Sequence, residues 1–159
     1  MHDVLLRDGR GVRIRALTRD DAAAIQAFVL ALSPEARRAR FFHPVSVVTA
    51  ERLRDMMFCA GLSVAAFDAH HRIVAHAQYA LEDAQAEFAI AVAEGWRRNG
   101  LGEALIDMLK RHAIEAGARS VGGVMLADND AMRGVARKLG FSVKRAADPV
   151  LLRAVYAAR

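Results

Sequence analysis

The stretch that decides the fold reads Arg97-Arg98-Asn99-Gly100-Leu101-Gly102. It lies between a strand-like run at 84–92 and a helix pattern whose apolar residues recur along one stripe. Two glycines in such a turn leave backbone N–H groups unobstructed at the start of the helix, where the helix dipole favours an anion. The two arginines add positive charge. The stretch therefore predicts a binding site for a phosphate or a pyrophosphate.

Two common nucleotide-binding loops do not fit this stretch. The dinucleotide fingerprint requires a third glycine at position 105, which is occupied by Leu105. A P-loop ends in Gly-Lys-Ser or Gly-Lys-Thr, whereas Gly102 is followed by Glu103 and Ala104. We therefore expect a different kind of phosphate-binding loop.

Strand and helix patterns alternate outward from the loop. Two short strands are predicted within 5–17, and helices at 18–32, 34–40 and 49–59. Runs at 62–67, 72–81 and 84–92 are joined by short connections, which predicts an antiparallel meander. After the loop we expect a helix at 101–116, a strand at 121–126, a helix at 129–139 and closing strands at 141–145 and 150–156. The pattern predicts one mixed α+β domain over residues 1–159 with a central sheet.

Composition narrows the classes of function. The chain has 159 residues, of which 54% are hydrophobic and 26% charged, as is typical of one globular domain. No apolar run is long enough to span a membrane and the N-terminus is charged, so we expect a cytoplasmic protein without membrane contact. Because Cys59 is the single cysteine, an internal disulfide and a multi-cysteine zinc site are excluded, and no metal is expected. The net charge of +5 is scattered and carries no nucleic-acid-binding motif, so no nucleic-acid partner is expected.

The loop at 97–102 resembles the Arg/Gln-x-x-Gly-x-Gly/Ala acetyl-CoA loop of the GNAT N-acetyltransferase superfamily. A second signature of that family is similar to Asn129-Asp130-Ala131-Met132 followed by Arg137-Lys138-Leu139-Gly140-Phe141. The order of elements agrees over nearly the whole chain. The resemblance implies the GNAT fold: a central, mostly antiparallel sheet that is splayed after the fourth strand, with helices on both faces. The segments Leu6-Arg7-Asp8-Gly9 and Ser33-Pro34-Glu35 look closest to the GNAT domain of bacterial protein lysine acetyltransferases.

The resemblance also implies which residues hold acetyl-CoA. Backbone groups of Ile90 and Val92 would bind the pantetheine arm, and Asn129 would contact the cosubstrate or position the helix after it. Arg133 and Lys138 are candidates for the outer phosphate of CoA. The residues expected around the pyrophosphate are those of the loop itself, namely Arg97, Arg98, Asn99, Gly100, Leu101 and Gly102.

Glu87 is the candidate general base. An attacking amine must first lose a proton, and a carboxylate on the strand beside the thioester can accept it directly or through a water. The alternative for Glu87 is a solvated position on an alternating strand. Many family members have a tyrosine as general acid where this chain has Ala136. Tyr79, Tyr156 or a water are the substitutes that the sequence leaves open.

The sequence thus predicts an acetyl-CoA-dependent N-acetyltransferase that acts by direct transfer in a ternary complex. The acceptor is a primary amine, with a protein lysine narrowly ahead of a small amine. The alternative is a non-catalytic module that binds acyl-CoA. Two histidines, His43 and His76, are read as partly buried, hydrogen-bonded residues rather than as part of the acceptor pocket. A closing strand at 150–156 with an unpaired edge would leave a homodimer open.

Overall fold

A computed structural model describes residues 1–43 and 45–159. Within these residues the strands are β1 (His2–Leu5), β2 (Gly11–Ala16), β3 (Gly61–Phe67), β4 (Ile73–Glu82), β5 (Gln85–Val92), β6 (Ser120–Leu126), β7 (Ser142–Arg145) and β8 (Leu151–Ala157). The helices are α1 (Ala22–Ala31), α2 (Pro34–Phe41), α3 (Ala50–Met57), α4 (Leu101–Glu115) and α5 (Asp130–Lys138). The predicted mixed class is therefore confirmed. None of the described helices is long and apolar enough to cross a membrane.

All the strands belong to one sheet in the order β1-β2-β3-β4-β5-β6-β8-β7. Every pairing is antiparallel except that of β5 with β6, which is parallel and covers only Gln85–Glu87 of β5. Beyond Glu87 the two strands separate, so the sheet is open at its centre. In chain order the separation follows the fifth strand rather than the fourth that the family resemblance implies, because the N-terminal hairpin places two strands ahead of the meander.

The C-terminal strand is not at the edge of the sheet. β8 pairs with β6 over seven residues and with β7 over four, so both of its edges are hydrogen-bonded. The prediction of an unpaired edge at 150–156 is therefore wrong. The order of the strands along the sequence does not reveal that the last strand, β8, lies between β6 and β7. The edges of the sheet are β1 and β7, and the argument for a homodimer through β8 no longer holds.

Two apolar clusters lie on opposite faces of the sheet. One contains Leu105 and Leu109 of α4, and the other contains Ile25 of α1 and Met56 of α3. Along β5, Ala86 and Phe88 belong to the α4 cluster, while Ala91 belongs to the other. Because side chains alternate along a strand, Glu87 and Ala89 share the face of Ala91 and look toward α2 and α3.

Side chains cap the starts of α2 and α3 and close the 3-10 turn that precedes α1. The Asp21 carboxylate accepts the backbone N–H of Thr18 at 2.7 Å, and a short 3-10 turn at Arg19–Asp21 precedes α1. Ser33 Oγ and Thr49 Oγ1 accept the N–H groups of the third residue after them, at 3.0 and 3.1 Å. The predicted helix starts are confirmed, except that the first turn after Thr18 is 3-10 rather than α.

Candidate active site

The first turn of α4 presents a set of free backbone donors. Gly100 has φ +87° and Arg98 has φ +62°, so the chain turns sharply from the strand end into the helix. Among the described residues, no acceptor lies within hydrogen-bond reach of the backbone N–H groups of residues 98–103. These donors coincide with the positive end of the helix dipole. The arrangement can hold an anion.

A carboxylate near this turn is already neutralised. Glu103, in the first turn of α4, forms ion pairs with Arg7 at 3.2 Å and with Lys138 at 3.0 Å. Its negative charge therefore does not cancel the positive potential at the helix start. Lys138, a candidate for the outer phosphate of CoA, is occupied by this pair, and Arg133 is paired with Asp130.

The turn between β1 and β2 supports the loop from outside. The backbone N–H of Arg7 donates to the carbonyl of Asn99 at 3.2 Å, and Arg10 Nη2 donates to the carbonyl of Gly95 at 2.8 Å. The Arg10 guanidinium also lies 3.8 Å from the centre of the Trp96 ring. A loop held at several points keeps its donors in one geometry without a ligand, which lowers the entropic cost of binding.

The free half of β5 offers a second row of backbone groups. The N–H of Ala93 donates to the carbonyl of Val74 on β4 at 2.9 Å. Because hydrogen bonding alternates along an antiparallel strand, the N–H and C=O groups of Ile90 and Val92 point away from β4. β6 does not reach them, since it leaves β5 after Glu87. They face the gap between the strands, where the Val92 carbonyl accepts Arg97 Nε at 3.2 Å.

A cleft of about 870 Å³ fills this gap. The start of α4 and α5 line one side, and Ala39 and Arg40 of α2 line the other. Most of the predicted site residues meet here: Glu87, Ile90, Val92, Arg97, Arg98, Gly100, Gly102 and Asn129. Asn99 and Leu101 do not line it. The Leu101 side chain is buried in the core, so only its backbone N–H is available to a ligand.

Glu87 lies at the point where the sheet opens, and its carboxylate is held by Arg153 of β8. Arg153 Nη1 and Nη2 donate to the two carboxylate oxygens at 2.9 and 2.7 Å. To reach Glu87, the Arg153 side chain crosses β6 at Gly122, where an added Cβ would lie 3.1 Å from Nη2. The hydrogen bonds to Glu87 raise the pKa of Arg153. The ion pair orients the carboxylate, while the Glu87 side chain stays 48% exposed, so both the role of base and the solvated position remain open.

The second signature forms the start of α5. Asn129 Oδ1 accepts the N–H of Met132 at 3.2 Å, so Asn129 caps the helix while it lines the cleft. Ala136 is fully buried in the α4-side cluster. Neither tyrosine lines the cleft: the Tyr79 hydroxyl bonds to His112 Nδ1 at 2.8 Å, and Tyr156 packs against Phe141. Neither tyrosine that the sequence offers as a substitute acid therefore lies at the cleft.

The sequence matches a known family over most of its length. A model described as the acetyltransferase (GNAT) family matches residues 23–141. The chain belongs to the GNAT acetyltransferase family. An acetyltransferase of Pseudomonas aeruginosa is 32% identical over 151 residues, which cover 90% of this chain and 81% of that protein.

Solved GNAT structures share the architecture. The GNAT domain of S. lividans PAT superposes with a TM-score of 0.89 at 25% identity, covering 99% of this chain and 96% of that one. A spermidine N-acetyltransferase from Vibrio cholerae, solved with CoA and spermine, has a TM-score of 0.72 at 14% identity and covers 92% and 95%. The second likeness shows the GNAT fold alone. The GNAT resemblance inferred from the sequence is confirmed.

The remaining reactive side chains stand apart from the GNAT cleft. His76 is fully buried, and its Nε2 lies 3.0 Å from both Ser63 Oγ and the Met56 carbonyl. Burial, helped by the charge of Arg40, lowers the pKa of His76 to about 3, so the ring is neutral. His43 is exposed on the connection after α2. Cys59 is half-buried and donates to the Tyr79 carbonyl. In the part of the chain that the structure describes, no cluster of acidic, histidine or cysteine side chains could hold a metal ion.

Three features of the site were missed from the sequence. The support by Arg7 and Arg10 was missed because a turn pair such as Asp8-Gly9 predicts a hairpin but not what the hairpin contacts. The Arg153–Glu87 pair was missed because it requires knowing that β8 lies next to β6. The third feature is the position of Arg40, half-buried in the wall of the cleft.

Proposed function

We propose that this protein transfers the acetyl group of acetyl-CoA to a primary amine, by direct attack in a ternary complex. The observation that carries the proposal is the meeting, in one cleft, of the free backbone groups of β5, the free donors at the start of α4, and Glu87. The family uses acetyl-CoA. The cleft fits that molecule because its two rows of unpaired polar backbone suit a pyrophosphate and an amide-containing arm.

Each predicted cosubstrate residue has a chemical task in this proposal. The N–H groups of residues 98–102 bind the pyrophosphate, and Arg97 and Arg98 add charge. The backbone of Ile90 and Val92 pairs with the pantetheine amides as another strand would. Bound acetyl-CoA supplies a thioester carbonyl, which an N–H near Ile90 to Val92 polarises. Asn129 keeps α5 in place beside this arm.

Glu87 acts as the base that prepares the amine. A lysine-type amine has a pKa near 10.4 and must lose a proton before it can attack. Arg153 fixes the carboxylate toward the opening, and each carboxylate oxygen retains a lone pair for the amine or for a bridging water. The leaving thiolate has a conjugate thiol pKa of about 8.5, so a water suffices to protonate it without a tyrosine at position 136.

A non-catalytic acyl-CoA-binding module is the second candidate. Two observations favour it: Ala136 is buried, and both oxygens of Glu87 are already paired. In this reading Arg153 and Glu87 form a structural pair, and the cleft senses the cosubstrate without turning it over.

The variant Glu87→Gln separates the two candidates. CoA release is measured with acetyl-CoA and a panel of primary amines that includes lysine peptides and diamines. If Glu87 is the base, kcat falls roughly 10²–10⁴-fold while the Kd of acetyl-CoA changes little. Glu82→Gln is the matched control, because Glu82 is exposed at the end of β4 and does not line the cleft.

Three results are informative. Unchanged kcat in Glu87→Gln would refute Glu87 as the base. The absence of CoA release from the unaltered protein with every amine, together with tight acetyl-CoA binding, would favour the binding module. The acceptor class, a protein lysine or a small amine, is read directly from the panel. A cytoplasmic setting remains a prediction from composition.

A further inference from the structure

Arg40, in the last turn of α2, has no acidic partner. Among the described residues, its Nη2 reaches only Gln78 Oε1, at a long 3.5 Å, and its buried Nε has no hydrogen-bond partner. Within residues 1–43 and 45–159, no carboxylate lies within ion-pair distance of the Arg40 guanidinium. Buried polar groups are ordinarily paired, because leaving one unpaired destabilises the fold. The guanidinium is therefore a vacant anion partner.

A second guanidinium lies beside it. Arg40 and Arg52 of α3 are both stacked near the Phe41 ring, with their central carbons 4.8 and 4.6 Å from its centre. Burial and the charge of Arg52 lower the pKa of Arg40 to about 10, which still leaves it protonated at neutral pH. Two like charges that share one aromatic ring repel each other, and a bound anion would relieve that repulsion.

These two arginines line an open pocket of about 400 Å³ between α2, α3 and β4. Glu51 and Asp55 line it as well, but both are exposed and neither forms an ion pair with the arginines. Gln78 Nε2 donates to the Asp55 carbonyl, so its oxygen is turned toward Arg40. The unpaired positive charge is thus at the inner wall, and the acidic groups are at the rim.

Arg40 also connects this pocket to the catalytic cleft, since it lines both. Gln78 on β4 is opposite Ala89 on β5, and Glu87 is two residues along on the same face. Such diagonal neighbours have Cα atoms about 7–8 Å apart. A group bound by Arg40 therefore lies a short aliphatic spacer away from an amine placed at Glu87.

We infer that this pocket recognises a carboxylate carried by the acceptor a few bonds from its reactive amine, with Arg40 as the main contact and Arg52 in support. The inference rests on the proposed acetyl transfer to an amine. Two sources supply this chemistry: a small amino acid with a terminal amine, and an acidic residue next to a lysine in a peptide.

The test compares matched probes with and without the carboxylate. The small-molecule pair is 6-aminohexanoate and its neutral amide, and the peptide pair differs by Glu or Gln after a central lysine. For the unaltered protein, kcat/KM favours the carboxylate probe by roughly 10- to 100-fold, mainly through KM, as expected for a charge-assisted contact. Preference within the peptide pair alone identifies a protein acceptor, and preference within both pairs identifies the carboxylate itself as the determinant.

Arg40→Gln should reduce this preference to near unity, and Arg52→Gln should reduce it partly. Arg54→Gln is the matched control, because Arg54 is exposed on the same helix as Arg52 and does not line the pocket. Arg40→Lys keeps the charge but loses the planar fork, so it should show an intermediate preference even if Arg40→Gln does not fold. No preference in the unaltered protein, or an undiminished one in Arg40→Gln and Arg40→Lys, would overturn the inference.

Calorimetric binding of the same two small probes to the protein saturated with CoA gives an answer that does not depend on turnover. If 6-aminohexanoate binds more tightly than its neutral amide and this difference is lost in the Arg40 variants, the subsite is supported. Should no probe be acetylated in that case, only the proposed transferase activity fails. Equal binding of both probes, together with turnover of other amines, overturns the subsite and leaves the transferase intact.

Discussion

The junction between β2 and α1 should make the fold sensitive to acid through Asp21. Arg15 donates to both Asp21 oxygens at 2.8 and 2.9 Å, and the Thr18 N–H donates to the same carboxylate. Hydrogen bonds from Arg15, against a smaller opposing effect of burial, lower the pKa of Asp21 from 3.8 to about 2. Because the carboxylate is nearly buried, solvent screens its interaction with Arg15 only weakly.

The direction in which stability changes with pH follows from the lowered pKa of Asp21. Above pH 3.8 the carboxylate is ionised in both states, and its native contacts contribute fully to stability. As the pH falls from 3.8 toward 2, the unfolded chain takes up a proton that the native state resists, so the contribution is lost. The difference between the two pKa values corresponds to about 2 kcal/mol, or a change in Tm of roughly 4–8 °C for a chain of this size.

The perturbation is Asp21→Asn, and the assay is urea unfolding of both proteins between pH 7 and pH 2. We expect the unaltered protein to be more stable by about 2 kcal/mol at neutral pH, and the difference to shrink below pH 3.8. Because both proteins share every other titrating group, the difference isolates Asp21. A difference that stays constant down to pH 2, or one near zero at neutral pH, would refute the reasoning.

Two further predictions concern buried positions. Because burial lowers the pKa of His76, only the unfolded chain takes up its proton, so the free energy of unfolding should fall as the pH drops below 6.5. A His76→Gln variant should lack this pH dependence of the free energy of unfolding between pH 7 and 5. An unchanged pH dependence in the variant would contradict the role given to His76. Gly123→Ala should cost about 1–3 kcal/mol in thermal or urea unfolding, because its Cβ would lie 2.6 Å from Cζ of the buried Phe88 ring. Gly134→Ala, with nothing within 4 Å, is its control and should not destabilise the protein.

Local patterns in the sequence predicted most of the elements and the phosphate-binding turn. Gly100, with φ +87°, determines the entry into α4 through backbone freedom, and the apolar stripe of Leu101, Leu105 and Leu109 determines which face is buried. Both effects operate within one or two turns of the chain, so one sequence is enough to read them. The Ser33 and Thr49 caps are local in the same way.

Contacts between distant segments could not be predicted in this way. The position of β8 between β6 and β7 depends on sheet pairing, and the Arg153–Glu87 ion pair depends in turn on that position. One of three arginines in a short helix such as α2 looks like part of a solvated face until the packing of α3 and β4 around it is known. For Asn129, the sequence allowed either a cap or a ligand contact; the structure shows the cap, and Asn129 also lines the cleft where a ligand contact would be made.

The central claim is that acetyl-CoA binds in the cleft at the start of α4, and calorimetric titration tests it directly. We predict binding in the micromolar range for the unaltered protein. Gly102→Val should raise the Kd of acetyl-CoA at least tenfold, because a side chain there contacts Ile90 and Val92 and fills the cleft wall. The control is Gly134→Val, on an open helix surface, which should bind acetyl-CoA as the unaltered protein does. Absence of binding, or equal affinity of the two variants, would contradict the account.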